Sequence, residues 1–113
     1  MTRGDVVLVD WPYSDRTGSK LRPAVVVQAD YLNGLIDDTV LVQVTSKAHG
    51  IPGTEVKLDP AKEPGSRLLH VSYAFCPNLL TADQSLIDQT IGALSNAAMR
   101  LIDGCTKTTL SLP

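Results

Sequence analysis

Two short stretches bring together side chains that can do chemistry on an anion. The first is "LRPAVVV", in which Arg22 and Pro23 stand directly before the apolar run Ala24–Val27. Proline fixes its own backbone and pushes the residue before it into an extended conformation. The base of a long cationic side chain is thereby pinned at the rim of a sheet. The second is "VQVTSK", where Thr45, Ser46 and Lys47 end an apolar strand with two hydroxyls and a cation. If the two strands are neighbours, Arg22 and Thr45 converge on one point. A planar guanidinium beside a hydroxyl suits a phosphate, because the fork matches two phosphate oxygens. Each stretch also has an ordinary use: a solvated arginine at a strand start, and turn chemistry in the Thr-Ser pair.

The elements that must position these residues are short strands followed by one helix. Val6–Trp11 is β-branched and apolar, and "PYSDRTGSKL" after it is rich in turn residues. Val25–Gln28 and Val40–Val44 read as the second and third strands, with "ADYLNG" between them as a single turn closed by Gly34. Glu55–Leu58 reads as a short strand, set between two Pro/Gly loops. Arg67–Phe75 alternates, with Leu69, Val71, Tyr73 and Phe75 on one face. This places His70 within a strand, as a structural residue. Leu79–Thr81 and Leu86–Ile91 fit strand or helix. Ser95 is a helix N-cap with Leu94 and Met99 as a hydrophobic staple, and Ala98, Met99, Ile102, Cys105 and Thr109 recur at helical spacing. Five to seven strands before one helix predict a mainly β fold, a small antiparallel β-barrel capped by a C-terminal helix.

At 113 residues the chain is expected to form one domain over residues 1–113. That length buries about two-thirds of the unfolded surface, enough for a core without metal or disulfides. No apolar run approaches the ~20 residues of a membrane span, and the N-terminal run lacks the features of a signal peptide. Cys76 and Cys105 are isolated and are expected to be reduced, as in a cytoplasmic protein. No metal or cofactor motif is present. The net charge of −2 argues against bulk electrostatic binding of nucleic acid. It leaves room for a local site, because Arg16, Lys20 and Arg22 fall in one acid-free stretch and Lys47 and His49 in another. In the "RGD" near the N-terminus, Gly4 is expected to permit an unusual backbone angle leading into the first strand.

Taken in order, "RGDVVLVDWP", "RPAVVVQAD", "VLVQVTSK" and "IGALSNAAMRLID" resemble the MazF/PemK family of toxin endoribonucleases over Arg3 to about Leu110. The resemblance implies an SH3-like barrel, a homodimer, and cleavage of single-stranded RNA without a metal. It also implies 2′,3′-cyclic phosphate and 5′-hydroxyl products, and inhibition by the tail of a cognate antitoxin. Carried over by motif, Arg22 and Thr45 match the catalytic arginine and threonine, and Ser46 the neighbouring hydroxyl. Tyr13 can stack on a base or shield the core, and Arg16, Lys20 and Lys47 can meet the RNA backbone or stand as ordinary solvated charges. Trp11 is expected to anchor the core. One stretch departs from the pattern: where many members have "CDQ", this chain has Phe75-Cys76-Pro77-Asn78 and no carboxylate. His49 is a substitute for the missing base, or an exposed loop residue. The competing reading is a non-catalytic module of the same fold. It would grip a protein target as the gyrase poison CcdB does, or act as a degenerate copy that sequesters an antitoxin. The end "TLSLP" lacks the Trp-Gly-Ile terminus of that poison.

Overall fold

The computed structural model describes residues 1–12, 15 and 17–113. Six strands form one antiparallel sheet: β1 (Asp5–Pro12), β2 (Ser19–Val26), β3 (Asp38–Thr45), β4 (Glu55–Leu58), β5 (Ser72–Asp83) and β6 (Ile87–Ala93). Their order across the sheet is β4-β5-β3-β2-β1-β6. A single helical turn, α1 (Asp30–Asn33), lies between β2 and β3, and α2 (Asn96–Leu110) closes the chain. Among the described residues no helix is long and apolar enough to cross a membrane.

Both faces of the sheet are buried, so its central strands read as apolar runs more than as alternations. One face carries Val6, Val25, Val42, Val44, Val56 and Leu58, and α2 packs on it through Ala98, Met99 and Ile102. The opposite face carries Val7, Val9, Trp11, Ala24, Val26 and Leu41. Among the described residues no helix covers that second cluster; the sheet does so by curling. Ala82 of β5 and Ile87 of β6 both pack into it, although three strands separate β5 from β6 in the sheet. This is the expected helix-capped barrel, with a helix over one face and an enclosed core on the other.

The helix start follows its predicted chemistry. Ser95 Oγ accepts the Ala98 amide at 3.1 Å, and Leu94 and Met99 share one cluster. The Glu63 carboxylate accepts both the amide and the hydroxyl of Ser95 at 2.8 Å, bracing the cap from a distant loop. Gly4 has φ +95°, the region that a side chain disfavours. Gly92, within "IGALS", is small for a different reason. A Cβ there would lie within 2.6 Å of the Ser66 carbonyl carbon and closer still to the Gly65 and Ser66 carbonyl oxygens. Gly92→Ala must therefore push backbone aside, and the pushed loop is the one that holds Glu63 on Ser95. A loss of about 1–3 kcal/mol is expected, read as a lower melting temperature. An unchanged melt would mean that the 64–66 turn shifts without cost.

Three expectations need correction. The second strand starts at Ser19, not Val25, so Arg22 and Pro23 lie inside it. Residues 67–71 are not strand: Leu69 and Val71 are exposed, and so is His70, which is therefore not a structural strand residue. The ambiguous segments at 79–81 and 86–91 resolve into β5 and, from Ile87, β6.

Candidate functional site

Proline in the middle of β2 decides where the sheet opens. Val27 N donates to Val40 O at 3.0 Å. By antiparallel alternation the nitrogens of Val25 and Pro23 then also face β3. Pro23 has no hydrogen to give, and the β2–β3 pairing stops at Ala24↔Gln43. On its other side β2 stays paired with β1 down to Pro12↔Ser19, which holds Arg22 opposite Val9. Extending the interrupted β2–β3 register by two residues sets Arg22 across from Thr45 on one face. The two strands part at that point, and the gap is a groove of about 580 Å³ lined by Arg22, Thr45, Ser46, Lys47 and His49.

Thr45 is half-buried and its hydroxyl donates to the Lys47 carbonyl at 2.8 Å, which folds the Ser46–Lys47 bend back over the strand end. Arg22 is half-buried and makes no ion pair among the described residues. The groove floor is Trp11, which also belongs to the second core cluster, as its expected anchoring role requires. Pro77 and Asn78 form part of the wall. They arrive there through a bulge. Val42 pairs with Leu79 but Gln43 pairs with Phe75, so Cys76, Pro77 and Asn78 have no partners on β3. A proline fits a strand where the ladder is already interrupted. The bulge sets the Asn78 amide to donate to Gln43 Oε1, satisfying the buried glutamine of "LVQV". It also turns Cys76 inward, toward the Ile102 carbonyl, and burial pushes that thiol up to about 11. The Cys105 thiol is raised for the same reason, and both cysteines are free.

His49 is held from two sides. Its ring lies parallel to Phe75, with centroids 3.7 Å apart and planes 4° from coplanar. The Glu55 carboxylate accepts the amides of His49 and Gly50 at 2.9 Å each. These bonds, led by the His49 amide, keep the Glu55 carboxyl below its ordinary range despite partial burial. Asp15, which also lines the groove, is lowered by the Thr17 amide and hydroxyl.

The groove thus gathers Arg22, Thr45, Ser46, Lys47 and His49. Lys20 is exposed on β2, two residues before Arg22 on the same face, and does not line the groove. Tyr13 and Arg16 lie outside the described residues. Sequence reasoning missed Gln43, Asn78, Glu55 and the use of Phe75. One signal was available, the lone polar residue in the apolar run around Gln43. The stacked pair His49–Phe75 left none, since the two residues meet only through the sheet.

The family model for the PemK-like, MazF-like toxin of type II toxin–antitoxin systems matches residues 2–110. Among solved structures, an endoribonuclease in complex with its cognate antitoxin from a mycobacterial species superposes with TM-score 0.82 and 25% identity, covering 100% of this chain and 97% of that one. An endoribonuclease from a mycobacterial species superposes at 0.80 with 24% identity, covering 100% and 93% of the two chains. A MazE–MazF crystal form from Deinococcus radiodurans gives 0.77 and 20%, covering 100% and 98%.

Proposed function

The chain belongs to the PemK-like, MazF-like toxins of type II toxin–antitoxin systems, and on that premise we propose that it is an endoribonuclease cutting single-stranded RNA in the groove between Arg22 and Thr45. The observation that carries this reading is that Arg22 and Thr45 line one groove, which opens where Pro23 ends the β2–β3 ladder at Ala24↔Gln43. Arg22 grips two oxygens of the scissile phosphate and stabilises the charge that grows there as the 2′-oxygen attacks. Thr45 exchanges its bond to the Lys47 carbonyl for one to the phosphate, and Ser46 adds a second hydroxyl. Lys47, Lys20 at the rim and Arg16 neutralise neighbouring phosphates, and Tyr13 stacks on a base. The side chains supply both charge and hydrogen bonds, so the reaction needs no metal and leaves a 2′,3′-cyclic phosphate and a 5′-hydroxyl. The structural neighbour solved with its cognate antitoxin supports an antitoxin segment as the natural inhibitor. A homodimer acting in the cytoplasm completes the proposal.

The test is cleavage of a long unstructured RNA by the purified chain in EDTA, with chemical mapping of the new ends. Cyclic-phosphate ends at a short recurring sequence are expected, and adding the antitoxin should suppress them. Intact RNA from a folded protein would overturn the reading in favour of a non-catalytic module, one that holds a protein target or sequesters an antitoxin.

A further inference from the structure

Cleavage by this route requires a group that takes the proton from the ribose 2′-hydroxyl. Arginine keeps its proton at any ordinary pH, and a threonine hydroxyl is a weak base. The two carboxylates nearby are committed elsewhere. Glu55 spends both oxygens on backbone amides, and Asp15 is turned to the Thr17 amide and hydroxyl. Both are held below the ordinary carboxylate range, which weakens them further as bases.

We propose that His49 is the general base of the groove, with Phe75 and Glu55 as its positioning residues; the inference rests on the ribonuclease reading above. A loop histidine ordinarily samples many rotamers, and a proton acceptor must instead be held within reach of one hydroxyl. Here the ring is fixed face-on by the Phe75 stack and the backbone by Glu55. Glu55 Oε2 lies 4.0 Å from Nδ1, beyond hydrogen-bond distance, so the carboxylate holds the backbone and leaves the ring nitrogens free to accept. The side chain keeps 40% of its surface exposed, enough to meet substrate and to exchange protons with water. The stretch that lacks the family's carboxylate thus supplies an aromatic platform, and the imidazole it carries replaces the missing base.

The step balances as follows. A ring nitrogen of His49 takes the 2′-hydroxyl proton, the 2′-oxygen bonds to phosphorus, and the bond from phosphorus to the 5′-oxygen breaks. The departing 5′-oxygen is protonated by water, and the imidazolium returns its proton to solvent. Arg22 of β2 and Asp15 and Lys47 of the loops share the groove with His49, Glu55 of β4 lies beside it, and Lys57 of β4 and Tyr73 of β5 lie two residues along the strands from Glu55 and Phe75.

The test compares wild type with His49→Gln and Phe75→Leu, measuring kcat and KM on one RNA in EDTA between about pH 5 and pH 9, across the range where imidazoles titrate. Thermal melts verify the fold, which His49 on an exposed loop should not affect. Wild-type kcat/KM is expected to rise with unit slope and then level off. His49→Gln should lower kcat by about 10²–10⁴-fold, with KM little changed and the levelling lost. Phe75→Leu should lower kcat by about 10–100-fold while keeping the shape of the profile, as misplacement of an intact base requires. If wild type cleaves and His49→Gln either matches it or keeps the same acidic limb, the base is another group and the ribonuclease reading stands alone. RNA left intact by wild type overturns both.

Discussion

Arg22→Ala is expected to slow RNA cleavage by about 10²–10³-fold in kcat, the usual cost of removing one preorganised donor from a developing oxyanion. The size follows from how the residue is held. β1 pairs with β2 on one side of Arg22, and Pro23 restricts its backbone. The base of the side chain is therefore fixed before the reaction begins. With no ion pair among the described residues, the guanidinium gives up no partner to bind phosphate. Its full stabilisation goes to the transition state, so the loss should appear in kcat more than in KM. Arg22→Lys should recover only part of the rate, because an ammonium keeps the charge and loses the fork. The alanine variant should melt close to wild type, since the backbone ladder to β1 is untouched and the side chain is only half-buried. Single-turnover cleavage at saturating RNA separates these effects. An Arg22→Ala protein that cleaves at the wild-type rate would move the scissile phosphate out of this groove.

What the sequence made legible was local. The Ser95 cap, the Leu94–Met99 staple and the positive φ of Gly4 each depend on residues a few positions apart, and each is present. The errors came where the answer depended on partners. The alternation over Arg67–Phe75 is a sound strand pattern, yet a strand needs a neighbour. β4 reaches only to Leu58↔Ser72 and β3 only to Thr45↔Tyr73, so no edge remains for residues 67–71 to join. Arg67 itself takes φ 58°, which no strand can use. Proline misled in the opposite direction. Pro23 suggested that the strand begins after it, whereas pairing with β1 carries the strand back to Ser19 and the proline interrupts only the β3 side. The same logic governs the site. That Arg22 and Thr45 line one groove was legible because residue type marks both, Pro23 marks the first and a strand end the second. The bulge at Cys76–Asn78 was not, because a shift in register is a property of two strands together.

Ile102→Ala should destabilise the protein by about 2–5 kcal/mol, the range for truncating a fully buried isoleucine. Ile102 has no exposed surface and joins α2 to Val42, Val44, Val56 and Leu58 on the face of the sheet away from the groove. Its carbonyl also accepts the Thr106 hydroxyl at 2.9 Å and the Cys76 thiol, so helix and bulge are tied at one residue. A cavity there cannot collapse easily, since β-strands on one side and a helical turn on the other fix its walls. The melting temperature should fall by about 10–20 °C, taking a few degrees per kcal/mol for a domain of this size. Ile102→Val should cost about 0.5–1.5 kcal/mol. Leu101→Ala is the matched control: the neighbouring residue, on the same helix, is 61% exposed, and its loss should stay within about 0.5 kcal/mol. Equal losses at the two positions would mean that helix propensity, not packing against the sheet, sets the effect. A loss at Leu101 that is larger at high protein concentration and shrinks on dilution would mark that face as one the protein uses to bind a second copy of itself. Well below its melting point, Ile102→Ala should still cleave RNA at close to the wild-type kcat, because the groove lies on the other face of the sheet and is held by β1, β2 and β3.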